Sequence, residues 1–106
     1  VFVEKNRRVF KVLKKNIDLF EPENSKLILM DVKKYLVQVK NQQFDIILAD
    51  PPYSEVSFAS VKDRAEHFLK PGGIFCMEMK KEAIDETNVR VKHYGSTQVV
   101  FWKSAA

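Results

Sequence analysis

The four residues Asp50-Pro51-Pro52-Tyr53 place a carboxylate, backbone carbonyls and an aromatic ring at one point of the chain. They follow the apolar run Phe44–Ala49, which predicts a strand buried on both faces of a parallel sheet. The two prolines end this strand because neither has an N–H to donate to a neighbouring strand. Asp50 and Pro51 each precede a proline, so both are held extended. The sequence therefore predicts a stiff strand end that presents several hydrogen-bond acceptors.

This arrangement suits chemistry on the exocyclic amino group of a planar base. Such an amino group is a weak nucleophile because its lone pair is delocalised into the ring. The Asp50 carboxylate and a proline carbonyl can accept its hydrogens and direct the lone pair toward an electrophile, while Tyr53 stacks on the base. The plainer interpretation is a Pro-Pro turn with a packed tyrosine. The pattern around these residues favours the amino-group site.

Strands alternate with helices along the chain, and a hairpin follows. The predicted strands are 1–3, 26–30, 44–49 and 74–79, the predicted helices are about 6–20, 32–41 and 56–69, and the hairpin comprises 89–94 and 97–102. The third helix is expected to end at Lys70-Pro71-Gly72-Gly73, and the hairpin is expected to turn at Gly95-Ser96. This order predicts an α/β fold with a mainly parallel sheet and a closing antiparallel strand.

Three of the predicted strands are followed by an acidic residue: Glu4, Asp31 and Asp50. Ligands of open α/β sheets bind beyond the carboxyl ends of the strands, so the three carboxylates are expected along one edge. Glu4 suits a ribose hydroxyl, and Asp31 suits a second polar group such as an adenine amino group. Each acid could instead cap the helix that follows it. Three acids at equivalent positions favour a binding site.

The composition narrows the class of protein. The 106 residues are enough for one domain at most. No apolar run reaches the ~20 residues of a membrane span, and Cys76 is the only cysteine, so we expect a cytoplasmic protein without membrane or metal partners. The formal charge of +4 permits a nucleic-acid partner but does not require one.

Two groups of cations carry weaker predictions. Three lysines on the first predicted helix are interpreted as a solvent-facing surface: Lys11, Lys14 and Lys15. Four cations nearer the expected substrate side fit solvent exposure and RNA contact equally well: Lys80, Lys81, Arg90 and Lys92.

The motif at Asp50 to Tyr53 resembles the amino-group motif of S-adenosylmethionine-dependent methyltransferases. Glu4 resembles the ribose-binding acid of that superfamily, and Asp31 resembles its adenine-contacting acid. The whole chain most resembles the RsmD family, which methylates a guanine N2 in small-subunit ribosomal RNA and is often labelled adenine-N6-specific DNA methylase. The residues behind this resemblance are the spacing from Glu4 to Tyr53, the Leu69-Lys70-Pro71-Gly72-Gly73 turn, Met77-Glu78, and the closing Tyr94-Gly95-Ser96-Thr97-Gln98.

The resemblance implies a Rossmann-like methyltransferase sheet, S-adenosyl-L-methionine as cofactor, and ribosomal RNA or a small-subunit assembly intermediate as partner. The implied catalytic residues are Asp50, Pro51, Pro52 and Tyr53, and the implied cofactor-binding residues are Glu4, Lys5, Asp31, Val32 and Asp50. Two alternatives stay open. An adenine-N6 DNA methyltransferase uses the same four-residue motif, and a non-catalytic RNA-binding or assembly module could be built on the same fold.

One part of the family pattern has no counterpart in the sequence. The glycine-rich loop that follows the first strand of these enzymes is missing, and only three glycines are present. In the family sheet order 3-2-1-4-5-7-6, the first strand lies between those that end here at Glu4 and Asp50. We therefore expect residues 1–106 to be the C-terminal portion of a single methyltransferase domain with a gap in mid-sheet. Such a portion is expected to bind cofactor poorly and to be inactive alone.

Overall fold

A computed structural model describes residues 1–20, 26–39, 42–50 and 57–105. The chain divides into two compact units, Val1–Lys40 and Asn41–Ala106. The elements in chain order are β1 (Phe2–Glu4), α1 (Arg7–Phe20), β2 (Leu27–Leu29), α2 (Val32–Gln38), β3 (Phe44–Ala49), α3 (Phe58–Glu66), β4 (Leu69–Lys80), β5 (Val89–Tyr94) and β6 (Thr97–Lys103). No helix in these four stretches is long and apolar enough to cross a membrane.

The first unit is built on the parallel pair β1 and β2, in which Phe2 lies opposite Leu27. Helix α1 begins just after Asn6, whose side-chain oxygen accepts from the backbone N–H groups of Arg8 (2.9 Å) and Val9 (3.2 Å). These bonds satisfy two of the N–H groups that the first turn of a helix leaves without partners. Among the side chains of this helix that the structure describes, Phe10, Leu13 and Ile17 are half-buried.

Helix α2 ends earlier than predicted. It begins after Asp31 as expected, but it ends at Gln38, and the backbone N–H of Val39 still donates to the carbonyl of Tyr35. The predicted end near Asn41 lies outside the described residues. Tyr35 is the one buried side chain of this helix, and Leu36 beside it is half-buried.

The second unit contains a four-stranded sheet in the order β3-β4-β6-β5. Strands β3 and β4 are parallel, and β6 runs antiparallel to both β4 and β5. The predicted hairpin is confirmed, with Gly95 at its turn in the left-handed region (φ +59°) that favours glycine.

The core of the second unit lies between α3 and one face of this sheet. Phe75 is fully buried at its centre, and its ring lies 5.8 Å from that of Phe58 on α3. Ser57 caps α3, because its Oγ accepts from the N–H of Ser60 at 3.2 Å. The buried members of this core are Phe58, Ala65, Leu69, Phe75, Met77, Met79, Val100 and Trp102.

The prediction that β3 is buried on both faces is wrong for this structure. Ile47 and Ala49 pack against the core, but Ile46 and Leu48 are 61% and 76% exposed. A continuous apolar run fits a strand with two covered faces, whereas α3 and its core lie on one face only. The other side of the sheet, the outer face, therefore exposes apolar side chains on β3.

The predicted end of the third helix is also wrong. Helix α3 ends at Glu66, and Leu69 belongs to β4, where it pairs with Phe44. The next pair in the register is Ile46 with Ile74, so the four residues 70–73 lie opposite Asp45 alone. The expected helix stop at 70–73 is thus an irregular part of a strand.

Two glycines make this irregularity possible. Gly72 has a φ of +77°, a backbone conformation that residues with a Cβ rarely adopt. A Cβ on Gly73 would lie 2.9 Å from the carbonyl oxygen of Lys70 and 3.0 Å from that of Asp45. The two strands approach so closely here that only glycine fits at position 73.

Candidate functional site

The first unit places two of the predicted cofactor-binding acids at the same edge of its sheet. Glu4 ends β1 and lies opposite Leu29, while the N–H of Met30 donates to the carbonyl of Glu4 at 2.9 Å. Asp31 follows directly, so the two acids lie at the carboxyl ends of adjacent parallel strands, as the sequence predicts. The predicted residues Lys5 and Val32 follow the two acids, and both are exposed.

Each of these two carboxylates already accepts one backbone hydrogen bond. Glu4 Oε1 accepts from the N–H of Asn6 at 3.0 Å, and Asp31 Oδ1 accepts from the N–H of Lys33 at 2.8 Å. Asp31 is thus the N-cap of α2, and the capping role considered for it is confirmed. A carboxylate has two oxygens and about four lone-pair positions, so each acid keeps acceptor capacity for a ligand. Capping and ligand binding are compatible here.

Amide substitutions separate these two roles. Asn caps helices as well as Asp does, so Asp31→Asn is expected to keep the stability of the protein, whereas Asp31→Ala costs about 1 kcal/mol. If Asp31 also binds a cofactor through its charge, Asp31→Asn weakens S-adenosylmethionine binding by about tenfold. Urea unfolding and calorimetric titration measure the two effects on the full-length protein. Unchanged affinity in Asp31→Asn would leave Asp31 with the capping role alone.

The second unit holds the start of the predicted catalytic motif. Asp50 directly follows β3 and is exposed at the carboxyl end of that strand. Pro51, Pro52 and Tyr53 lie outside the described residues, so their roles stay predictions. Glu4 and Asp31 belong to the first unit and Asp50 to the second.

Register adds a carboxylate that sequence reasoning did not assign to the site. Ala49 pairs with Met77, so Glu78, the next residue of β4, lies level with Asp50. Glu78 is exposed, between buried neighbours on either side of it in the strand. The alternation of β4 signals an outward side chain at this position. That Glu78 lies beside Asp50 follows only from the register between β3 and β4, and a single sequence does not reveal that register.

A buried amide fixes the segment that follows β4. Gln98 is 1% exposed, and its Nε2 donates to the carbonyl of Glu82 at 2.9 Å. The N–H of Lys81 donates to the carbonyl of Ser96 at 3.3 Å. These two bonds hold the chain beyond β4 against the β5–β6 hairpin, at the edge of the sheet where Asp50 lies. Glutamine is mostly exposed in proteins, so composition gives no signal for this role.

The thiol of the second unit is not an activated nucleophile. Burial raises the pKa of Cys76, and the negative charge of Glu78 raises it further, so the thiol stays protonated near neutral pH. Over the described part of the chain, no group of three or more His, Cys, Asp or Glu side chains could hold a metal ion.

A family model described as conserved hypothetical protein 95 matches residues 1–103. The chain belongs to this family. A search of curated proteins gives no match. The conserved hypothetical protein 95 match covers both units, including β1 with Glu4 and the closing hairpin.

Solved structures similar to this family member include several methyltransferases. The Escherichia coli protein yhhF, provisionally titled a methyltransferase, is 21% identical with a TM-score of 0.79, over 98% of this chain and 61% of that one. A Haemophilus influenzae protein provisionally titled a methylase is 24% identical with a TM-score of 0.73. The match covers 99% of this chain and 71% of that one. SMU.776, also provisionally titled a methyltransferase, was solved as a complex with SAH. It is 14% identical with a TM-score of 0.72, and the match covers 95% of this chain and 38% of that one.

These likenesses confirm the predicted fold class, an α/β Rossmann-like methyltransferase fold with an antiparallel hairpin at its end. The chain spans about three-fifths of the length of yhhF and of a similar protein from Thermus thermophilus, which it covers to 59%.

Proposed function

We propose that this protein, a member of the family described as conserved hypothetical protein 95, transfers a methyl group from S-adenosyl-L-methionine to guanine N2 in small-subunit ribosomal RNA. The observation that carries the proposal is the placement of acids at strand ends. Glu4 ends β1, Asp31 follows the adjacent parallel strand β2 in the same unit, and Asp50 follows β3 in the other. The shared fold with methyltransferases, one of them solved with SAH, supports this reaction class.

The first unit supplies the cofactor's binding groups in this proposal. Glu4 accepts hydrogen bonds from the ribose hydroxyls, and Asp31 accepts from the adenine amino group through oxygen capacity that its cap leaves available. Lys5 and Val32 border the same site. When bound, the cofactor supplies a sulfonium methyl group as the electrophile.

The second unit supplies the groups that hold the target base. Asp50 and a proline carbonyl accept the two amino hydrogens, which directs the nitrogen lone pair at the methyl carbon. Bound S-adenosyl-L-methionine would supply the methyl group to this nitrogen and keep the sulfur's electron pair, and one amino proton would leave to Asp50 or to water. Tyr53 stacks on the base, which must be unpaired or turned out of its helix for its amino group to reach the methyl.

The substrate assignment is tested with the full-length protein and radiolabelled S-adenosylmethionine. Naked DNA, naked small-subunit RNA and partly assembled small subunits are compared, and the modified nucleoside is identified after digestion. We expect N2-methylguanosine from the RNA or the particle and little label in DNA. N6-methyladenine in DNA would support the adenine-N6 alternative. Tight RNA binding with no label in any substrate would support the non-catalytic module.

A further inference from the structure

The β5–β6 hairpin presents cations and an aromatic ring on the outer face of the second sheet. Val89 and Val91 pack against the core, so the alternate residues of β5 project from the opposite face. These are Arg90, Lys92 and Tyr94, and all three are exposed, Tyr94 by 58%.

The sheet register adds Lys80 to this group. Thr97 pairs with Lys80 on one side and with Tyr94 on the other, so the lysine and the tyrosine lie about 10 Å apart across β6. Lys80 is exposed at the carboxyl end of β4, and the hairpin turn lies at this same edge of the sheet. We call Lys80, Arg90, Lys92 and Tyr94 the hairpin surface.

The charge of the hairpin surface fits an anionic partner. Its three cations form no salt bridge within the part of the chain that the structure describes. The acid nearest to them on the outer face is Glu78, which shares Val99 of β6 as a cross-strand neighbour with Lys92. Three cations without carboxylate partners beside one exposed aromatic ring match a phosphate backbone with unstacked bases.

The distance to Asp50 ties this surface to the candidate site. Three strand spacings separate β3 from β5, and each is about 4.8 Å, so Lys92 lies about 14 Å from Asp50 across the sheet. We propose that the hairpin surface binds the RNA strand beside the methylated base, with its cations on phosphates and Tyr94 stacked on a neighbouring unpaired base. This inference rests on the proposed function, since it names the contact surface for that substrate.

The test measures RNA binding separately from methyl transfer. Fluorescence anisotropy follows a fluorescein-labelled single-stranded RNA of mixed sequence, titrated with full-length protein at several salt concentrations. The triple variant Lys80→Ala, Arg90→Ala, Lys92→Ala is expected to bind at least about tenfold more weakly, with a salt slope smaller by about 2. Tyr94→Ala is expected to bind the RNA about tenfold more weakly. Tyr94→Phe keeps the aromatic ring and is expected to bind with nearly the wild-type affinity.

A matched variant removes the same charge elsewhere. Lys11→Ala, Lys14→Ala, Lys15→Ala takes three exposed cations from α1 and is expected to change affinity far less. Wild-type affinity and salt slope in the hairpin variant, or an equal loss in the α1 variant, would overturn the proposal. A larger loss for duplex DNA than for RNA would overturn the choice of RNA.

The same samples separate the two proposals. If the wild-type protein methylates RNA but the hairpin variant binds it normally, the surface is wrong and the proposed function stands. If the wild-type protein binds RNA through the hairpin surface but yields no N2-methylguanosine, the proposed function is wrong and the surface stands.

Discussion

Replacing Asp50 with alanine is expected to lower the turnover number for methyl transfer by about a thousandfold. The carboxylate is the charged acceptor for the amino group, and its loss leaves the nitrogen lone pair delocalised into the base. Asp50 is exposed at the end of β3, so stability is expected to change little. Cofactor affinity is expected to stay within about threefold of the wild-type value, because Glu4 and Asp31 carry most of that binding.

Single-turnover assays and calorimetric titration with the full-length protein measure the two quantities. Asp50→Asn keeps one carbonyl acceptor without the charge and is expected to fall between the wild type and Asp50→Ala. The matched control is Asp45→Ala on the same strand, whose side chain is 80% exposed and pairs with Lys70 at 3.3 Å. A surface pair of this kind contributes little, so activity should be retained. Near-normal turnover in Asp50→Ala would contradict the catalytic assignment.

Phe75→Ala is expected to lower the free energy of unfolding by about 3–5 kcal/mol. The side chain is fully buried between the sheet and α3, and its removal leaves a cavity beside Phe58 and Trp102. A loss of this size is a large fraction of the about 5–15 kcal/mol by which proteins are stable. Urea unfolding followed by circular dichroism measures it.

Phe101 offers a matched control for this effect. It lies on β6 in the row next to the Phe75–Trp102 pair, but on the outer face, and it is half-buried. Phe101→Ala removes the same atoms and is expected to cost about 1–2 kcal/mol. Equal losses in the two variants would mean that the outer face is as closely packed as the core, contrary to the exposure of Ile46 and Leu48.

Local sequence signals predicted the bounds of helices and strands better than they predicted which side chains are buried or how strands pair. The bounds of β3 are correct because Pro51 and Pro52 end its apolar run. The start of α2 is correct because Asp31 caps it. The burial of Ile46 depends on which elements cover the sheet, and an apolar run carries no such information. Leu69 continued the helical pattern, but its pairing with Phe44 placed it in β4.

The candidate site likewise has features that follow from a local rule and features that depend on how distant parts of the chain pair. A general rule for parallel strands predicted that Glu4 and Asp31 lie at the same edge of the sheet, and the pairing of β1 with β2 agrees with it. The place of Glu78 beside Asp50 and the bond from Gln98 to Glu82 depend on strand register and on a buried hydrogen bond. Neither has a periodic signature in the sequence.

The burial of the two units is uneven, and this has a thermodynamic consequence. Among the described residues, Tyr35 is the only buried apolar side chain of the first unit, whereas the second unit has the eight-residue core around Phe75. Local opening should therefore cost less in the unit that holds Glu4 and Asp31, and its amide hydrogens should exchange sooner. A ligand that binds only the closed form of such a unit shifts this equilibrium in proportion to its occupancy. Cofactor binding and local folding would then be one linked equilibrium, with the methyl donor acting as a folding ligand.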